Sequence, residues 1–287
     1  MLRTAASLAT VLLACAAQAA PPPGTTVEGV TVEARPNTDA EVRARAHAYV
    51  DTVAVRPDHG DTLIRWREPL CPLVGGLPQE QGEYMLQRLT LIARTSGVKL
   101  APERCTPNFY VVFTGEPEAL LKAWRKRDGN LFGYQAPAKV GRFLGTDRPV
   151  RVWHNWAYAP ADGTRPTEYS QYGAPSIGHP KDSRIVTNVV RGAWGVVAVV
   201  DTAKVAGVSV AQLTDYIALA GLAQINPDAH PAGADSILTL FDSPPADAPP
   251  SLSAWDQAFL KALYGSEQEN LMQRAQIAGR MVTDVAR

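Results

Sequence analysis

The side chains able to do chemistry are few and scattered. Five histidines, His47, His59, His154, His179 and His230, stand far apart. No two have the spacing that sets a pair of imidazoles on one helix face or on one side of a strand. Catalytic zinc takes three protein ligands and keeps a fourth position for water, so the histidines alone do not compose such a site. His230 lies near Asp228 and Asp235, which makes it a candidate for a displaced metal site in a hydrolase; a solvated loop histidine is the simpler reading. Gly173-Ala174-Pro175-Ser176-Ile177-Gly178 has one residue too many for the Gly-x-Ser-x-Gly nucleophile elbow. No Walker-type or dinucleotide-binding glycine loop occurs, so no cofactor is expected.

Of the three cysteines, Cys15 falls in the N-terminal segment read below as an export signal, and Cys71 and Cys105 remain. In an oxidising compartment these two most simply form a disulfide. The loop closed is about 35 residues, worth roughly 3–4 kcal/mol in the chain-entropy model. Aromatic residues gather at Trp153, Trp156, Tyr158, Tyr169 and Tyr172. The two tryptophans are expected to cap a sheet. Tyr169 and Tyr172, in a Gly/Pro-rich loop, are candidates for lining a groove.

Composition narrows the classes. The 287 residues are 46% hydrophobic, and 28 basic side chains balance 28 acidic ones, which excludes intrinsic disorder and gives no electrostatic footprint for nucleic acid. The zero is a sum of unlike regions. Residues 118–151 carry 8 basic and 3 acidic side chains, whereas residues 200–270 carry 9 acidic and 2 basic. The basic region is either a solvated face or a docking patch for an acidic partner.

Residues 1–20 read as a signal peptide, with Arg3, an apolar run from Ala5 to Ala14, and Ala17-Gln18-Ala19 for cleavage. The run is too short to span a bilayer, and no transmembrane segment is expected later. A periplasmic or secreted protein follows. Leu12-Leu13-Ala14-Cys15 also resembles a lipobox, so a lipoprotein anchored through Cys15 is the alternative.

The remaining chain divides into a linker, edge segment and helix over 21–62, the helix running from about Asp39 to Val53, and a main domain over 63–287. That domain is expected to be α+β. A strand at Leu63–Trp66, a helix over Gln79–Ser96 ended by Gly97, and a strand over Asn108–Thr114 come first. The helix is expected to bury Tyr84, Leu86, Leu89, Ile92 and Ala93. A helix over Pro117–Arg127 and a strand over Val150–Tyr158 follow, then two strands around Gly192 within Arg184–Val200. The apolar run Trp194–Val200 implies burial on both faces. Ser209 caps a helix to about Gln224, apolar nearly all round and therefore a core helix.

This order, with Gly221-Leu222 ending the buried helix, Ser236-Ile237-Leu238-Thr239 in a tight turn, and Leu252-Ser253-Ala254-Trp255-Asp256 followed by Leu263-Tyr264-Gly265, resembles the zincin metallopeptidases. It is most similar to the matrixin-like metzincins, and also to exported proteobacterial proteins of the same layout. The resemblance spans about residues 63–265. It implies a zincin-like fold: a mixed twisted sheet, a buried active-site-type helix and a C-terminal helix. Aligned on Gly221, the family's three zinc-binding histidines fall on Thr214, Ala218 and Gln224, its general-base glutamate on Asp215, and its turn methionine on Leu238. A hydroxyl, a methyl and a neutral amide do not make a zinc site, and without the metal nothing activates water. The expected protein is therefore non-catalytic, binding a peptide or envelope partner, with the edge strand near Arg184–Val200 holding an extended peptide. The competing expectation is the hydrolase with a displaced site at His230, Asp228 and Asp235.

Overall fold

The long apolar strand expected around Trp194–Val200 is the spine of a five-stranded sheet. In the computed structural model, which describes residues 38–55, 63–133, 136–160, 189–266 and 272–285, this strand is β5 (Val189–Asp201). Along one side it carries β4 (Val150–Pro160), antiparallel, from Val150 opposite Val200 to Pro160 opposite Val189. Along the other side run two parallel strands, β3 (Phe109–Thr114) beside residues 196–201 and the short β1 (Arg65–Trp66) beside Gly192 and Ala193. β2 (Pro72–Gly75) lies outside β3, parallel to it. Both faces of β5 are covered, so it has no polar alternation: Val196, Ala198 and Val200 face one apolar layer while Val197 and Val199 face another.

The strand is single. Gly192 does not divide it into two, contrary to the expectation from the sequence. A Cβ at Gly192 would stand 2.5 Å from Arg67 Cγ and 2.9 Å from the Trp194 ring, so the glycine admits close packing across the sheet rather than a turn. Because β4 lies on one side of β5 and β3 and β1 on the other, Val189–Val200, the described part of the expected edge strand, is not an edge; β4 forms one edge of the sheet and β2 lies at the other.

One layer holds α1 (Asp39–Val53), α2 (Gln79–Ser96), α5 (Val210–Leu222), α6 (Ala254–Gly265) and α7 (Gln273–Val285); the other holds α3 (Pro117–Arg127) and α4 (Pro137–Leu144). α1 starts with a Thr38/Glu41 capping box and buries Val42, Ala46, Tyr49, Val50 and Val53 in the same core as residues 63–285. α2 ends at Gly97, whose φ of 96° suits a residue without Cβ. Its buried face is Met85, Leu89, Ala93 and Ser96. Tyr84, expected inside, is 44% exposed, because the stripe that meets α5 is set one residue further along the helix. α4, β2 and α7 add to the expected elements. Cys71 and Cys105 are disulfide-bonded, with their Cα atoms 6.1 Å apart, and tie the start of β2 to the loop before β3.

The last part of the chain is fastened by buried polar groups. Asp256, fully buried, accepts from Tyr49 Oη at 2.5 Å, Ser236 Oγ at 2.6 Å, the Ile237 N–H at 2.9 Å and the Ser253 N–H at 2.8 Å. It thereby joins α1, the short 3-10 helix Ile237–Phe241 and the start of α6. Tyr264 Oη donates to the Leu222 carbonyl at 2.5 Å and accepts from the Trp66 N–H at 3.3 Å, and burial raises its pKa. No helix among the described residues is long and apolar enough to cross a membrane.

Candidate functional site

α5 presents three different surfaces. It begins with a capping box between Ser209 and Gln212 and is buried from Gln212 to Leu222. Thr214 and Ala218, one turn apart, are fully enclosed, and the Thr214 hydroxyl donates to the Val210 carbonyl at 2.6 Å. Gly221 meets the ring of Phe109, where a Cβ would stand 2.3 Å from Cζ, so the glycine is required by packing. Leu238 is buried in the core.

Asp215 turns towards α2. It is 1% exposed, takes two bonds from Arg88 (Nε at 2.5 Å, Nη2 at 2.7 Å), and accepts the Leu252 N–H at 2.7 Å. It borders a cavity of about 270 Å³ between α2 and α6. Gln224 lines a different and larger cleft, of about 430 Å³. The six positions that the metallopeptidase resemblance would make a motif therefore do not share one site. They do not fit a zinc ion: the hydroxyl is committed to its own helix, Ala218 offers no donor, and the carboxylate is held by a guanidinium on the far side. Among the described residues no three His, Cys, Asp or Glu side chains gather as a metal-binding group.

At the other sequence candidate, His230 is exposed. Its Nδ1 lies 2.9 Å from the Asp228 carbonyl and its Nε2 2.9 Å from Asp242 Oδ2. Both Asp228 carboxylate oxygens bond Arg148 Nη2, at 2.6 and 2.7 Å, and Asp235 is exposed. The imidazole and both carboxylates are not gathered around a common centre. Tyr169 and Tyr172 lie outside the described residues, as do Cys15 and residues 1–20.

The larger cleft follows the outer edge of β4. Val150, Arg151, Val152, Trp153, His154 and Trp156 all line it, so residues from both faces of the strand contribute and the opening lies along the edge itself. Sequence reasoning missed this arrangement. The backbone there is unpaired among the described residues, where β4 pairs only with β5. The Asp201 N–H donates to the Pro149 carbonyl at 2.9 Å, which makes residues 149 and 201 a hydrogen-bonded pair. Alternation then points the N–H and C=O groups of Val150, Val152 and His154 away from β5 and into the cleft.

The two walls differ. On the α5 side stand Tyr216 and Ala220, four residues apart on one helix face, with Gln224, Ile225 and Pro227 beyond the end of the helix. Ile225 is held by a bridge to Ala54 at the end of α1. Burial pushes the Tyr216 hydroxyl up to about 12, leaving it a neutral donor. On the α4 side stand Lys139, Phe143, Arg151 and Trp153. The Trp153 indole donates to the Phe132 carbonyl at 3.0 Å and packs 5.0 Å from Phe143. At the far end the Arg191 guanidinium lies 4.1 Å over the Trp156 ring.

His154 is the buried titratable group of this strand. Its Nε2 lies 3.1 Å from the Gly221 carbonyl, which only accepts, so that nitrogen carries the proton. Burial holds its pKa down to about 4. Below the ordinary pKa near 6.5 the unfolded chain binds a proton that the folded one refuses. Stability contributed above pH 6.5 is therefore lost as pH falls towards 4, by up to about 3 kcal/mol. Urea unfolding at pH 7.5 and 4.5 is expected to show this loss, and His154→Gln, which keeps a donor for Gly221, is expected to reduce it.

Comparison of the chain with protein-family models, curated proteins and solved structures finds no match.

Proposed function

We propose that the chain is an exported, non-catalytic peptide-binding protein of zincin-like build, which holds an extended peptide as an added strand on the outer edge of β4. The observation that carries this reading is the cleft along that edge, lined by six of the seven residues from Val150 to Trp156, with outward backbone groups at Val150, Val152 and His154. Main-chain pairing supplies affinity in such a site and the flanking walls supply selectivity. The order of elements supports the zincin-like part: strand, helix and strand, then the buried α5 ending in Gly221-Leu222, the turn at Ser236–Thr239 and the Ser253-capped α6. The chemistry of Thr214, Ala218 and Gln224 argues against hydrolysis.

The test is to incubate the purified, untagged chain with a pool of end-blocked heptapeptides, following retention by mass spectrometry and metal content by elemental analysis. Peptides are expected to be retained intact, and N-methylation at alternate residues is expected to abolish retention. Stoichiometric zinc together with peptide cleavage would overturn the reading.

A further inference from the structure

The cleft beside β4 has one apolar wall and one basic wall, and this asymmetry constrains what peptide fits. We infer that the preferred occupant is an acidic peptide in which apolar and carboxylate side chains alternate, the carboxylates facing the wall that holds Arg151. The inference rests on the strand-addition reading and deepens it.

Alternation along β4 creates the two walls. Val150 and Val152 pack with the α5 layer and His154 bonds Gly221, whereas Trp153 packs with the α4 layer and Arg151 Nη1 reaches the Leu144 carbonyl at 3.2 Å. A strand laid alongside must alternate in the same way, sending every second side chain to each wall. On the α5 side those side chains meet valine, alanine and a tyrosine ring. On the α4 side they meet Arg151 and Lys139 beside the rings of Phe143 and Trp153.

Among the described residues four basic side chains line the cleft, Lys139, Arg148, Arg151 and Arg191, and no carboxylate does. Arg148 is neutralised by Asp228. Arg151 is not similarly answered. It is 6% exposed, and among the described residues its Nε has no hydrogen-bond partner and no carboxylate lies within ion-pair distance. Its nearest acidic neighbours are engaged elsewhere, Glu118 with Lys122 and Asp147 with Lys204, although both feel its charge. A buried guanidinium with an unsatisfied N–H and no paired carboxylate is costly. A peptide carboxylate supplies the missing counter-charge. Lys139, exposed at the rim, extends the field outward and favours encounter with anionic ligands. The basic excess of residues 118–151 thus has a focus in the cleft.

The experiment uses the full chain and three end-blocked, fluorescein-labelled hexapeptides in which valine alternates with glutamate, glutamine or lysine, with affinity read by anisotropy at low salt. The glutamate peptide is expected to bind at least about tenfold tighter than the glutamine peptide, and the lysine peptide most weakly. Arg151→Gln is expected to remove most of that preference. Lys139→Glu, at an exposed position, is expected to reduce it and remains informative if the Arg151 variant folds poorly. Equal affinity for all three peptides, abolished by N-methylation, would overturn the acidic preference and leave strand addition standing. A glutamate preference unaffected by either substitution would overturn the assignment to this wall. Binding of none of the three would overturn both the inference and the reading beneath it.

Discussion

Replacing Asp256 by alanine is expected to destabilise the protein by about 4 kcal/mol or more. The carboxylate is fully buried and accepts four bonds, from Tyr49, Ser236, Ile237 and Ser253. Alanine leaves four donors in the core with no acceptor, each costing about 1–3 kcal/mol when unsatisfied, less whatever entering water recovers. Asp256→Asn is expected to cost about half as much. Its amide oxygen still faces the two rigid backbone N–H groups, and its NH2 donates to the two hydroxyl oxygens, which rotate to accept. Urea denaturation of both variants checks the ranking. Equal losses would mean that the backbone donors, rather than the hydroxyls of Tyr49 and Ser236, have found no substitute acceptor in the asparagine.

Arg88→Met is expected to cost about 3–5 kcal/mol, because it strands the Asp215 carboxylate in the core. Asp215 is 1% exposed and keeps only the Leu252 N–H once Arg88 is gone. The cost arises from an uncompensated buried charge, so a second substitution that removes the charge should recover much of it. Asp215→Asn in the Arg88→Met background is therefore expected to be more stable than Arg88→Met alone, a reversal that chemical denaturation detects directly. The same residue is the one that the metallopeptidase resemblance would make a general base. An ion pair that turns it towards α2, away from the cleft beside β4, gives it a structural role.

Element ends are the most legible features of the sequence. Ser209 and Gly97 each carry a local signal that sets a helix terminus, and each does so in the structure. The disulfide follows from having two cysteines beyond the N-terminal segment. Short or late elements are harder. α4 has eight residues and β2 has four, too few for a hydrophobic period to stand out, and α7 is recruited by its packing against α1 and α6. The described part of the expected edge strand, Val189–Val200, is not an edge, and the chain itself carries the reason: a run from Trp194 to Val200 with no polar alternation describes a strand covered on both faces. The cleft is not legible at all. Arg151, Tyr216 and Lys139 lie in three separate elements, and only the antiparallel return of β4 along β5 brings them to one opening. The sequence shows a basic excess over 118–151 without the wall on which it is concentrated.

The central claim is that β4 receives a peptide through its outer backbone edge and leaves it intact. Amide hydrogen exchange at Val152 and His154, measured with and without the valine–glutamate hexapeptide, tests this most directly. Both N–H groups point away from β5, so they are predicted to exchange rapidly in the free chain and to become protected when the peptide binds, while the peptide's mass stays unchanged. Peptide binding that leaves these two amides unprotected, or a peptide recovered as fragments, would contradict the account.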